Sequence, residues 1–330
     1  MSATNPAETV FKLSTAYWAS RCLHITAELG VADVLDDAPQ TAVELARRTG
    51  ADASALHRVM RALANHGIFD LKAGLFSHNA ASRLLRTNVE GSMRSRALAD
   101  GLAVHWNAYS ALGEGLRTGR PAFELTAKQK LFDYLGAHPE DGHVFAEAMV
   151  ASSFARIGPV LEAYDFRGSK LIGDIGGGLG HLLTAVLGAN PLAKGVLFDL
   201  PEVIDQAKSK QDPRIGYVAG DFFRDRIPSC DTYLLMNVLH DWSDAESIEI
   251  LRNIRAGARP GAKVLVIEGI VEEGSSDALL TDIDIEMFAM TSGRERTRQE
   301  WESVLNGAGL SLRRAMPAGP WNKVIESVVP

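Results

Sequence analysis

Residues 171–180, LIGDIGGGLG, constrain this chain more than any other stretch. Residues 171–175 are a short apolar run with an acid, Asp174, near the end, and read as a buried parallel strand. Gly176, Gly177, Gly178 and Gly180 follow at once, and HLLTAVLGA after them reads as a helix. Strand, glycine turn and helix open a nucleotide-type βαβ unit, in which a tight turn lets a ligand lie against bare backbone. The spacing removes two ligand classes. A dinucleotide G-x-G-x-x-G beginning at Gly176 needs glycine at 181, where the chain has His181. A phosphate loop needs G-K-[ST], which is absent. The pattern left is Asp174-x-Gly176-x-Gly178-x-Gly180.

From residue 167 onward, strand-like and helix-like segments alternate, which predicts an α/β fold with a doubly wound sheet. Strands are expected at 171–175, 195–199, 215–219, 231–237 and 263–269. Ligands of such sheets bind outside the carboxyl ends of the strands. Asp174, Asp199, Asp221, His240 and Glu268 all fall at those ends. Asp199 comes about 20 residues after the glycines, where an acid binds ribose hydroxyls. Asp221, in GDFF, suits accepting from an adenine amine, and Phe222 beside it can pack on the ring. His240 lies between an apolar strand and a helix capped by Ser243 or Asp244. A histidine there titrates near neutrality and suits a general base, best with a carboxylate to orient it. His240-Asp241 alone would also fit a metal phosphohydrolase, but the further ligands cannot be assembled. In a helix, Asp282, Asp284 and Glu286 do not share a face, so they read as a solvated or capping face and no metal site is expected.

The N-terminal part has a different character. Residues 10–35 place Leu13, Tyr17, Cys22, Ile25 and Leu29 at helical spacing, with Trp18 and Leu23 on the other side. A helix apolar nearly all round is buried deeply, often by a second subunit. Residues 41–88 predict helix, turn, helix and β-wing. Thr41 with Glu44 forms a capping box, Gly50 ends the first helix, Asp52 starts the second, Gly67 stops it, and two short strands flank Ala73-Gly74. A winged helix can read DNA, and its second helix carries Arg58 and Arg61. A DNA reader needs a basic stripe, however, and Glu44, Asp52 and Asp70 lie nearby. The whole chain carries a net charge of −7, which argues against a general polyanion binder. Residues 89–165 are expected to be all-helical, broken at Gly101, Gly119-Arg120-Pro121 and His138-Pro139, with Phe132, Phe145, Met149 and Phe154 as core or pocket roof.

At 330 residues the chain has room for about two domains. Its two cysteines, Cys22 and Cys230, support no disulfide framework and suit a reducing cytoplasm. No signal peptide is expected from MSATNPAETV, and no apolar run nears the roughly 20 residues of a membrane span.

The Asp-x-Gly-x-Gly-x-Gly pattern resembles motif I of class I S-adenosylmethionine (SAM) methyltransferases. SAM brings no phosphate, so no lysine is needed, and its ammonium and sulfonium are attracted by an acid. With LFDLPEVI, GDFF, NVLHDWSD, VIEG and GRERT added, nearly the whole chain resembles the plant-type small-molecule O-methyltransferases, in their bacterial secondary-metabolite branch. WASRCLHITAELGVADVL resembles the phenazine methyltransferases in particular. The resemblance implies a Rossmann-like SAM methyltransferase domain at 101–330, with a helical pocket roof at 101–165 and the core at 166–330. It implies an all-helical, winged-helix dimerisation domain at 1–100 and an obligate homodimer. His240 would deprotonate the acceptor, with Glu268 and Glu295 flanking and orienting its ring, and no metal. Asp174, Gly176, Gly178, Asp199, Leu200, Asp221, Phe222 and Asn237 would hold SAM; Phe145, Met149 and Met287 would line the acceptor site. The implied reaction is SAM-dependent methylation of a hydroxyl on a small phenolic, phenazine or polyketide-type aromatic, in the cytoplasm, without nucleic acid or membrane. Met236 stands where many members carry Lys or Arg. The competing reading is a SAM-responsive winged-helix DNA-binding regulator.

Overall fold

The capping signals near the N-terminus act as the sequence predicts. Thr41 accepts the Glu44 N–H and Glu44 reaches back to the Thr41 N–H, starting the helix Ala42–Thr49. Gly50 ends it at φ +72°, a left-handed conformation that side chains resist. Asp52 caps the helix Ala53–Asn65 through the Ala55 N–H. Three short strands, β1 (Gln40–Thr41), β2 (Phe69–Lys72) and β3 (Leu75–His78), form an antiparallel wing in the order β1-β3-β2. Leu45, Leu56, Met60, Leu63, Phe69 and Phe76 bury themselves between helices and wing.

The computed structural model describes residues 5–210, 212–272, 274 and 278–330. It contains two units, Met1–Trp106 and Asn107–Pro330. The single helix expected at 10–35 is two, Pro6–Glu28 and Val31–Val34, because Gly30 turns the chain at φ +65°. Its deep burial is also not met within one chain. Only His24, Thr26 and Ala27 of the first helix are buried, while Leu13 is 75% and Trp18 56% exposed.

In the second unit the expected helix breaks at Gly119 and His138 are present, and Lys128, at φ +60°, adds another. The longest helix, Pro139–Ala163, packs against the helix His181–Ala189 and the sheet. Contrary to the expectation that no apolar run nears a membrane span, this helix is long and apolar enough by length and composition. Its Ala, Val, Phe and Met residues raise the mean hydropathy although Glu147 and Arg156 interrupt it. Phe154, expected in the core or roof, is 52% exposed.

The sheet has seven strands: β4 (Leu171–Ile175), β5 (Lys194–Asp199), β6 (Ile215–Ala219), β7 (Thr232–Met236), β8 (Lys263–Glu268), β9 (Leu312–Ala318) and β10 (Asn322–Val328). Their order is β6-β5-β4-β7-β8-β10-β9, with β4 to β8 parallel and β10 antiparallel to both neighbours. Alternate residues feed opposite faces. Tyr233, Leu235, Val264 and Val266 enter one core; Leu234, Leu265 and Ile267 enter the other, where Met236 also packs. All seven named first are fully buried, as a sheet covered on both sides requires. After β6 the chain crosses back to β7 on the far side of β4, so the winding reverses there. A doubly wound sheet carries its ligand crevice at such a switch point, here at the carboxyl ends of β4, β5 and β7.

Candidate active site

The glycine turn and the acid of the next strand form one hydrogen-bonded unit. Asp199, the last residue of β5, accepts the Gly178 N–H on Oδ2 and the Leu200 N–H on Oδ1, both at 2.8 Å. Each carboxylate oxygen keeps capacity for another donor. Burial pushes the Asp199 carboxyl up to about 6, against the pull of those two N–H groups. A side chain at Gly177 would collide with the Asp174 carboxylate and Leu197, so bare backbone is required there. Gly178, at φ +58°, would meet nothing within 4 Å, so the turn presents its backbone to open space. Asp174 is 1% exposed; burial first, then Asp199, pushes it up to about 7.

Two buried acceptors in this crevice lack a partner among the described residues: Asp174 Oδ2 and Asn237 Oδ1. Asn237 directly follows β7 and is held at φ +54°, a conformation uncommon outside glycine that frequently marks functional sites. Donors from a ligand would satisfy both groups, which fits the ammonium and hydroxyls of SAM. Phe222 lies beside the turn, since a side chain on Gly176 would come within 3.5 Å of its ring. Asn253 holds the Phe222 carbonyl at 2.8 Å. Asp221 accepts the Phe223 N–H at 2.9 Å and faces Arg224 at 3.5 Å.

His240 sits in a short 3₁₀ turn, Leu239–Asp241, beyond β7 and is buried. Its Nδ1 is 2.7 Å from Glu295 Oε1 and 3.7 Å from Glu268 Oε2. The two glutamates therefore act differently. Glu295 bonds the imidazole. Glu268, wholly buried at the end of β8, spends Oε1 on the Val238 and Leu239 N–H groups, both at 2.9 Å, and so holds the turn. Nε2 has no hydrogen-bond partner among the described residues; Asp241 Oδ1 is 3.8 Å away. In the neutral ring a carboxylate at Nδ1 selects the tautomer protonated there and leaves Nε2 as the acceptor, whereas the imidazolium carries a proton on both nitrogens. Burial is the largest single influence on this ring and opposes its charge. Glu268, Asp241 and Glu295 together overcome it and push the imidazole up to about 10. Burial likewise pushes up the Glu268 and Asp241 carboxyls, against the pull of His240.

Aromatic rings gather next to this turn. Trp242 stacks on Phe132 at 5.4 Å and meets Phe223 at 4.8 Å and Phe222 at 5.7 Å edge-on. Phe145 meets Phe132 edge-on at 6.3 Å. Met149 lies one turn after Phe145 on the helix Pro139–Ala163, and Met287 lies on Ala278–Met290; both are half-buried. Asp284, read from sequence as part of a solvated or capping face, accepts the Glu295 N–H at 2.8 Å and anchors that loop.

Two residues of this site carry no role that the sequence shows, and a third carries a different one. Trp242 stands in NVLHDWSD without a spacing signal, and Asp241, there a possible metal ligand beside His240, instead helps to raise the basicity of that ring. Arg296 stood beside Glu295 in GRERT and is wholly buried.

Comparison with known proteins follows the same two units. A family model for the O-methyltransferase domain matches residues 109–311, and one for the O-methyltransferase dimerisation domain matches residues 11–88. A phenazine O-methyltransferase of Lysobacter antibioticus is 36% identical, covering 96% of this chain and 95% of that protein. A mitomycin biosynthesis 6-O-methyltransferase of Streptomyces lavendulae is 33% identical, covering 94% and 91%. Among solved structures, an O-methyltransferase of neocarzinostatin biosynthesis, in complex with SAM and 2-hydroxy-5-methyl naphthoic acid, superposes with a TM-score of 0.80. It is 28% identical, and the match covers 95% of this chain and 96% of that one.

Proposed function

This chain belongs to the O-methyltransferase family and uses S-adenosylmethionine, and from that premise we propose that it methylates a hydroxyl of a small aromatic secondary metabolite, with His240 as general base and no metal. The observation carrying the proposal is the buried His240–Glu295 pair, with Nδ1 engaged at 2.7 Å and Nε2 left as the acceptor. A phenol has a pKa near 10 and is mostly protonated at neutral pH. An ordinary imidazole, near 6.5, would draw its proton about three units uphill. Glu268, Asp241 and Glu295 raise the imidazole toward the phenol's own value, so the neutral ring, whose share grows as pH rises, takes the proton with less of that penalty. SAM, when bound, supplies a methyl on a positively charged sulfur. The chain's part is to align the acceptor oxygen and to hold its proton at Nε2 during the transfer. Asp199 and Leu200 would take the ribose, Asp174 and Asn237 the polar groups beside the sulfonium, and Asp221 with Phe222 the adenine. Phe145, Met149 and Met287 would line the acceptor site together with Phe132 and Trp242, whose flat faces suit an aromatic.

The acceptor class rests on relatives named for phenazine, mitomycin and a naphthoic acid ligand. The test is to offer hydroxylated aromatics, phenazines included, with methyl-labelled SAM and to assign the product by NMR. A new aromatic methoxy group supports the proposal; transfer to nitrogen alone, or to none of them, counts against it.

Glu295→Gln is expected to move the acidic limb of the rate profile to lower pH, by about 1–3 units. The carboxylate stabilises the imidazolium, so without it the proton leaves His240 at lower pH. The variant's plateau rate should also fall, because the base is weaker. A profile with an unmoved limb would show that Glu295 does not set the basicity of His240.

We also propose that the enzyme is a homodimer and cytoplasmic. The winged helix falls inside the match to the dimerisation domain, and Val10, Phe11, Leu13, Tyr17 and Trp18 are left exposed by the single chain. Both cysteines are unpaired, which suits a reducing compartment. Trp18→Asp is expected to weaken the dimer about tenfold or more, since burying one such side chain contributes roughly 1.5–3 kcal/mol. Ultracentrifugation of the wild type and the variant checks this. A fully active wild-type monomer would contradict the assignment.

A further inference from the structure

We propose that Arg296 is a positioning residue that sets the orientation and basicity of His240 by clamping the carbonyls of its turn. The inference rests on reading His240 as the base. Arg296 is wholly buried, and every nitrogen of its guanidinium is engaged. Nη1 donates to the Leu239 carbonyl at 2.9 Å, Nη2 to the Trp242 carbonyl at 2.7 Å and to Ser247 Oγ at 3.2 Å, and Nε to Asp244 Oδ1 at 2.8 Å. The contacts to Leu239 and Trp242 reach back 57 and 54 residues, to both ends of the turn that carries His240. The carbonyl between them, that of His240 itself, accepts the Arg294 N–H at 2.9 Å. The approach is so close that a side chain at Gly293 would collide with that carbonyl.

The same loop thus does two things. Residue 295 presents the carboxylate to His240 Nδ1, and residues 294 and 296 hold the backbone on which His240 stands. On the opposite side Glu268 takes the Val238 and Leu239 N–H groups. The turn is held through its donors by a buried anion and through its acceptors by a buried cation. Among the described residues the polar partners of Arg296 are Leu239, Trp242, Asp244 and Ser247, not the imidazole, Asp174 or Asp199, so its effect on chemistry passes through the His240–Glu295 geometry. The planar guanidinium fork serves three directions at once; a lysine ammonium on a flexible stem does not.

The test is Arg296→Lys, with Asp244→Asn as a milder second variant that takes the negative charge away from Nε and leaves the other three contacts in place. In ¹⁵N-labelled protein the His240 ring nitrogens are titrated by NMR, and kcat, KM and the SAM dissociation constant are measured on the same samples. For Arg296→Lys the His240 titration is expected to move down in pH. Its kcat should fall about 10²-fold, the scale of a small misplacement at the reacting centre, with SAM affinity essentially unchanged. Asp244→Asn should move both readouts the same way by less, and it carries the test if Arg296→Lys does not fold. A lower melting temperature with unchanged titration and kcat would overturn the proposal and leave Arg296 a purely structural residue. A shifted titration with unchanged kcat would uphold the clamp, and it is the general-base reading that would then fall.

Discussion

His240→Ala is expected to lower turnover by about 10²–10⁴ while leaving SAM affinity nearly intact. The argument is one of separation within the crevice. The groups suited to SAM are on the glycine turn, Asp199 and Asn237, at the ends of β4, β5 and β7. His240 is held in the turn beyond them by Glu268, and its free edge is Nε2. Removing the ring takes away the proton acceptor but no SAM-facing group. The cavity left inside a buried cluster also leaves Glu295 without its imidazole partner, so some loss of stability is expected. Comparing kcat at saturating substrates with the SAM dissociation constant from calorimetry keeps the two effects apart. Equal losses in both would mean that His240 supports the fold rather than the chemistry.

Asp199→Ala is expected to do the reverse: weaken SAM by about 10²–10⁴ and change the chemical step much less. Hydrogen bonds to a charged acceptor contribute about 1.5–3 kcal/mol each, and two ribose hydroxyls would be released. The substitution also frees the Gly178 and Leu200 N–H groups, loosening the turn that shapes the crevice. A pH signature accompanies the loss. The Asp199 carboxyl is raised to about 6 by burial. It therefore takes up a proton as pH falls through that value, and a protonated oxygen accepts less well from a hydroxyl. SAM affinity should rise with pH between about 6 and about 7 in the wild type, as Asp199 and then Asp174 ionise, and Asp199→Asn should remove the part of that rise near 6. An unchanged dissociation constant in Asp199→Ala would remove this residue from the SAM site.

The parts of the molecule legible in the sequence are those set by neighbours along the chain. Thr41 with Glu44, Asp52 and Ser243 cap the helices they precede because capping is a local hydrogen bond. The five parallel strands announce themselves as apolar runs because both faces are covered. The acids end those strands, so their convergence follows once the sheet is parallel. The two C-terminal strands were not legible. β9, LRRAMPA, is an edge strand whose arginines and Pro317 face outward, and it breaks the apolar pattern expected of a strand. The different roles of Glu268 and Glu295 depend on which oxygen meets which N–H, and no spacing encodes that. Trp242 gains its role from Phe132, in a helix more than a hundred residues earlier. Arg296 looks like one more charge in a polar loop until the fold closes on it. The helix Pro6–Glu28 has the apolar periodicity of a buried element, and the single chain covers only His24, Thr26 and Ala27 of it; the match to the dimerisation domain at 11–88 fits burial of the rest by a second subunit.

The central claim is that His240 removes the acceptor's proton as the methyl is transferred. It is tested most directly by the ratio of wild-type to His240→Ala turnover across phenolic acceptors of graded acidity, at saturating SAM and fixed pH. An acceptor with an acidic hydroxyl arrives ionised and needs no base. The ratio is therefore expected to approach unity for the most acidic phenols and to grow to about 10²–10⁴ for those with pKa near 10. A ratio equally large for every acceptor, whatever its acidity, would contradict the claim and reduce His240 to a residue that places the substrate or holds the turn.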